Sequence, residues 1–116
     1  MKFQTIAMAS LALGFLAAGS AQAAEPIVGK WKRPNGTVIS YAGSGPYCGT
    51  VLNGTYKGKS IGCMNGKGGS YKGKVNKLDE GKTYSGKASV SGNSMKLSGC
   101  VLGGVICKSE TLTRAQ

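Results

Sequence analysis

Thr55-Tyr56-Lys57-Gly58-Lys59-Ser60, Ser70-Tyr71-Lys72-Gly73-Lys74-Val75 and Thr83-Tyr84-Ser85-Gly86-Lys87-Ala88 are three versions of one phrase. Each has a hydroxyl residue, a Tyr, a Gly two places on and a Lys directly after that Gly. Alternate side chains of a strand share a face. Each Tyr therefore points the same way as its Gly, and the lysines point the other way. The phrase predicts three β-strands with a Tyr/Gly face and a lysine face. It carries no chemistry that identifies a reaction.

Turn signals surround the three copies: Pro34-Asn35-Gly36, Gly43 to Pro46, Asn53-Gly54, Asn65-Gly66, Leu78 to Gly81, Ser91-Gly92 and Gly103-Gly104. Asn-Gly and Gly-Gly suit tight hairpins, whose central residues need positive φ. Eight candidate strands lie between them, near 27–33, 37–42, 47–52, 55–63, 69–77, 82–90, 93–102 and 105–114. Short, evenly spaced strands indicate an all-β fold, and consecutive hairpins indicate a small eight-stranded up-and-down meander closed into a barrel.

Residues paired across a hairpin have a constant index sum, which gives a register. An Asn53-Gly54 turn places Gly49 opposite Gly58, and an Asn65-Gly66 turn places Gly58 opposite Gly73. A four-residue loop at 78–81 places Gly73 opposite Gly86. Tyr47, Tyr56, Tyr71, Val75, Tyr84, Ala88, Met95 and Leu97 then share the glycine face, read as the interior. Lys57, Lys59, Lys72, Lys74, Lys87 and Lys96 share the outer face. A row of glycines costs strand stability and so answers a geometric need. Tight closure with tyrosines filling the space is one such need, and room for a ligand is the other.

The chain opens Met1-Lys2-Phe3, continues apolar from Ile6 to Ala18 and reaches Ala21-Gln22-Ala23. A basic start, an apolar middle and an A-x-A site read as a secretory leader over residues 1–23, cleaved after Ala23. One domain follows, over residues 24–116. Losing Lys2 changes the formal charge from +11 to +10, against the acids Glu25, Asp79, Glu80 and Glu110. Such a balance favours anionic surroundings or serves solubility.

Four cysteines in a small exported domain imply disulfides. A Gly103-Gly104 turn has an index sum of 207, which places Cys100 opposite Cys107. Cys48 and Cys63 are left to pair by default, although the register above puts Cys48 opposite Lys59 and asks for a bulge. With no His and no C-x-x-C, a zinc site has little support. The usual general base is missing, no G-x-S-x-G elbow occurs, and Asp79-Glu80 lies on a turn. No enzyme, cofactor or sequence-specific nucleic-acid contact is expected.

Gly29-Lys30-Trp31 on the first strand and Arg114 on the last resemble the closure signature of the calycins, the lipocalin and avidin group. That resemblance implies Arg114 packed across the Trp31 ring where the barrel closes. Gly81-Lys82-Thr83-Tyr84-Ser85-Gly86, Met95-Lys96-Leu97-Ser98-Gly99-Cys100 and Cys107-Lys108-Ser109-Glu110-Thr111-Leu112-Thr113-Arg114 resemble a bacterial exported family of unknown function, numbered 2147. Leu112 stands where that family often has Trp, and no Pro follows Asp79. The resemblance implies export and a small β fold, and it brings no site residues.

The expectation is a periplasmic or secreted, disulfide-supported, calycin-like barrel. It would bind a small apolar or amphipathic ligand at its mouth, lined by Tyr47, Tyr56, Tyr71 and Tyr84. The alternative is an envelope adaptor whose lysine face binds anionic lipid or polysaccharide.

Overall fold

Tyr71, Gly73 and Val75 face Ala88, Gly86 and Tyr84 across one antiparallel strand pair. This is the register that the 78–81 loop demands, and the rest of the sheet grows outward from it. A computed structural model describes residues 24–115, so the leader read over residues 1–23 lies outside the described residues. The strands are β1 Gly29–Lys32, β2 Val38–Gly43, β3 Tyr47–Val51, β4 Ser60–Lys67, β5 Ser70–Lys77, β6 Lys82–Ser91, β7 Ser94–Val101 and β8 Ile106–Arg114. Each pairs antiparallel with the next, and β1 pairs with β8 to close the barrel. The fold is an all-β, eight-stranded meander barrel with two disulfides.

The β3–β4–β5 register differs from the expectation. Thr55–Ser60, the first copy of the phrase, is mostly turn, and β4 begins only at Ser60. Asn53-Gly54 is no tight hairpin. The Asn53 Oδ1 accepts from Val38 N at 2.9 Å, and its Nδ2 donates to Gly36 O at 3.3 Å, clipping this loop to the β1–β2 loop. Asn65-Gly66 lies within β4, and the reversal falls at Gly68-Gly69, both at positive φ as a type I′ turn requires. Gly49 therefore faces Gly62, and Gly73 faces Met64; Gly58 faces neither. The glycine row continues instead into β7, where Gly86 faces Gly99.

The corrected register also resolves the cysteines. Cys48 lies directly opposite Cys63, and Cys100 opposite Cys107; both pairs are disulfide-bonded with Cα atoms 4.0 Å apart. The bulge sits beside the first bond, between Gly49 and Thr50. Residues 102–105 form the β7–β8 loop, wider than a two-residue turn with the same index sum. This allows a close, non-hydrogen-bonded cysteine pair.

In a meander, alternate turns share an end. One end carries residues 24–28, the 67–70 and 91–94 turns and the end of β8, and it is closed. Ile27 is fully buried there, with Trp31, Met95 and Leu112. The Trp31 Nε1 donates to Ile27 O at 2.9 Å. The Arg114 guanidinium lies 4.0 Å from the Trp31 ring centroid and donates to Val28 O and Pro26 O, each at 3.1 Å. A cation over an indole contributes about 0.5–1 kcal/mol when exposed, more when desolvated. Here it ties the last strand to the segment that plugs the end.

Candidate functional site

The other end is open. It carries the 33–37, 52–59, 78–81 and 102–105 loops, and the interior above the waist forms a cavity of 870 Å³ that opens between them. Drug-sized ligands occupy cavities of about 300–1,000 Å³. The floor is apolar: Ile39, Val51, Ile61, Val75 and Leu97 each arrive from a different strand. Alternation puts Ile39, Val51, Val75 and Leu97 inward, since each lies an even number of places from an inward neighbour on its own strand. Ile61 is the residue skipped by the pairing at the bulge, which turns it inward beside Gly62.

The glycine row lies at the waist because large side chains cross over it. A Cβ on Gly49 would sit 3.0 Å from the Tyr41 ring, and one on Gly86 would sit 2.7 Å from Met64 Cε. Tight closure therefore explains most of the row. Gly99 differs. It lines the cavity, and a Cβ there would meet nothing closer than Tyr84 Cβ at 3.6 Å.

Charge is concentrated higher on the wall. Arg33, just after β1, donates to Glu110 on β8 through Nε at 2.5 Å and Nη2 at 3.2 Å. This fork spans the seam of the barrel and fixes both side chains at the cavity wall. Lys108, opposite Gly99, also lines it. On the 78–81 loop, Lys77 Nζ donates to Asp79 at 3.1 Å and lies 3.6 Å from Glu80. Tyr84 donates to Glu80 at 2.8 Å. The Lys77 hydrogen bond holds the Asp79 carboxyl below its ordinary pKa. The Tyr84 hydroxyl does the same for Glu80, and its own pKa rises because it gives that hydrogen bond. The rim thus offers cations, anions and amides above an apolar floor, an arrangement suited to a molecule with a tail and a polar head. Among the described residues, no three His, Cys, Asp or Glu side chains gather as a metal site.

The four tyrosines expected to line the mouth divide between the two ends. Tyr84 lines the cavity, and so does Tyr56, from the 52–59 loop instead of a strand. Tyr47 and Tyr71 do not; they meet edge to face at 5.8 Å in the core below the waist. Tyr71 is committed to the closed end. Its hydroxyl donates to Glu25 Oε1 at 2.8 Å, and burial, followed by that bond, raises its pKa. The miss follows from strand direction: Tyr47 and Tyr71 stand at the starts of β3 and β5, below the glycine row at the closed end, whereas Tyr84 stands near the start of β6, which runs from the open end.

The six expected outer lysines also divide. Lys72, Lys74, Lys87 and Lys96 lie on strands with outward alternation, and Lys72 faces Lys87 directly. Lys57 and Lys59 lie in the 52–59 loop, so neither pairs with Lys72 or Lys74. Two features were not anticipated. One is the Arg33–Glu110 fork, which no local pattern announces. The other is the Tyr41 hydroxyl, buried with no hydrogen-bond partner; burial raises its pKa far above the ordinary tyrosine value.

No similar curated protein and no similar solved structure was found. A family model does match, over residues 55–114, which run from the 52–59 loop to the last residue of β8 and include Tyr56, Tyr84, Lys108 and Glu110 of the cavity. The chain belongs to that family, described as an uncharacterized protein conserved in bacteria (DUF2147).

Proposed function

We propose that the protein is a non-enzymatic binding module of the bacterial envelope, periplasmic or secreted, that takes one small amphipathic molecule into the open end of its barrel. The carrying observation is the cavity itself: 870 Å³, closed below by the waist and open above. The Arg33–Glu110 fork and Lys108 would meet the polar head, and Ile39, Val51, Ile61 and Leu97 the tail. Two disulfides support an oxidising compartment. The Arg114–Trp31 stack at the closed end supports the lipocalin-like comparison. Titration with a fluorescent long-chain fatty acid tests the reading. Wild type is expected to saturate at one equivalent, and Gly99→Phe, whose side chain grows into the cavity, to bind at least tenfold more weakly. Equal binding by both would sink it.

A second reading, an adaptor for anionic lipid or polysaccharide, is favoured by one observation. Lys72 and Lys87 lie side by side on the outer wall, with Lys74 and Lys96 near them. Like charges directly opposite are destabilising by a fraction of a kcal/mol, roughly 0.2–1. Retention on an anionic polysaccharide column should fall in a Lys72→Gln, Lys87→Gln, Lys96→Gln variant; unchanged retention leaves these lysines as solubility charges.

A further inference from the structure

Five large apolar side chains are exposed among the described residues, and all five lie at the open end: Tyr56 at 38%, Val101 at 40%, Leu102 at 70%, Val105 at 81% and Ile106 at 54%. Four of them form one uninterrupted tip, Val101-Leu102-Gly103-Gly104-Val105-Ile106, with no polar side chain in it. Water-facing loops are normally built from polar residues, and a contiguous exposed apolar patch marks a contact surface.

The tip is held in place. Cys100 and Cys107 staple its base, and Val105 N donates to Leu102 O at 3.3 Å across the turn. Leu102 sits at φ +54°, the one non-glycine residue at positive φ among those described. That conformation costs a Leu free energy that Gly or Asn would avoid. A loop that had only to turn would carry one of those. The backbone here instead accepts strain while presenting Leu102 to solvent.

The surroundings are cationic. Extending the β6–β7 register by three places from the Ser85–Cys100 pair brings Lys82 level with Gly103. Lys108 follows the tip, and Lys57 and Lys59 lie on a loop at the same end. None of these four lysines is in an ion pair among the described residues, whereas Asp79, Glu80 and Glu110 at this end all are. A convex apolar finger ringed by unpaired, flexible point charges complements a fluid apolar layer beneath a diffuse anionic surface. A protein groove would also be met by directed polar contacts, and the tip carries no polar side chain to make them.

We infer that the β7–β8 loop is a membrane-docking tip that seats the open end of the barrel on an anionic lipid bilayer. Val101 and Ile106 also line the cavity, so docking places its mouth against the membrane. On the reading proposed above, an amphipathic ligand would then pass between bilayer and cavity without crossing bulk water.

The test is co-sedimentation of the purified, disulfide-intact protein with vesicles of phosphatidylcholine alone and of an equimolar phosphatidylcholine–phosphatidylglycerol mixture. Leu102→Asn with Val105→Asn removes the apolar tip while placing at 102 a residue that tolerates positive φ. Wild type is expected to bind the anionic vesicles. The tip variant should lose about tenfold or more in partitioning while keeping its thermal midpoint. Lys72→Gln, Lys87→Gln, Lys96→Gln should stay within about twofold of wild type, because these wall lysines stand away from the docked end. Gly99→Phe should bind vesicles normally, so failure of the cavity reading leaves docking intact and separately visible. The inference is overturned by any of three results. These are no vesicle binding, loss of binding only in the wall-lysine variant, or a wild-type dimer by sedimentation velocity that the tip variant abolishes, which would make the tip a self-contact.

Discussion

Gly73, Gly86 and Gly99 occupy one row across β5, β6 and β7, yet replacing each by Ala should have three different effects. None of them has a positive φ, so only space and strand propensity decide. A Cβ on Gly73 would lie 2.1 Å from Cys63 O and 2.8 Å from Met64 Cα, backbone atoms of β4 that move only if the strands part. Overpacking of this kind costs about 1–3 kcal/mol. On Gly86 the nearest atoms are Val75 Cγ2 at 2.6 Å and Met64 Cε at 2.7 Å, with the Lys74 backbone carbon farther off at 3.1 Å, and the Met tip can swing away more readily than backbone. On Gly99 the closest atom is at 3.6 Å, an ordinary contact. Ala in place of a strand Gly is there worth a gain of about 0.5–1 kcal/mol. For a domain of this size 1 kcal/mol moves the thermal midpoint by about 4–8 °C. Calorimetry should therefore order the variants Gly99→Ala above wild type, Gly86→Ala below it and Gly73→Ala lowest by about 4 °C or more. Equal losses at all three positions, or a harmless Gly73→Ala, would refute the account of the waist.

Tyr41→Phe removes a buried hydroxyl that has no partner. An unsatisfied buried polar group costs about 1–3 kcal/mol, so the urea midpoint should rise; a clear fall would mean the hydroxyl is bonded in solution. Asp79 and Glu80 both have carboxyl pKa values lowered on folding, by Lys77 and Tyr84 respectively. Their contribution is complete above the unfolded carboxylate value of about 4 and is lost as pH falls through the lower folded values. Urea midpoints recorded from neutral to acid pH should fall below that point, and less steeply in Asp79→Asn, Glu80→Gln. Identical acid limbs would show that the 78–81 loop adds nothing.

The half of the barrel from β5 to β8 was legible because its turns carry clear signals. The 78–81 loop and the Cys100/Cys107 pair return the observed register, while the Ser91-Gly92 signal falls one residue early, since Ser91 still pairs with Ser94 and the turn is Gly92-Asn93. The β3–β4 region offered two Asn-Gly pairs that look alike locally. Asn53 turned out to serve a distant bond to Val38, and Gly68-Gly69 took the reversal. A bond between residues this far apart leaves no mark on local pattern, and one wrong turn displaced Tyr56, Lys57 and Lys59 together. The cavity depended on the same region, since the floor residues Val51 and Ile61 flank the misread loop. The apolar tip was visible as a turn without a polar side chain, but its exposure follows only from how far β7 and β8 run beyond their neighbours' contacts.

Native mass spectrometry of the protein recovered from its bacterial host under non-denaturing conditions bears most directly on the open-ended cavity as a ligand site. The account predicts one non-covalent adduct per wild-type chain, an amphipathic small molecule released on denaturation, and the bare mass for Gly99→Phe recovered in parallel. The bare mass for both proteins, or the same adduct on both, would contradict it.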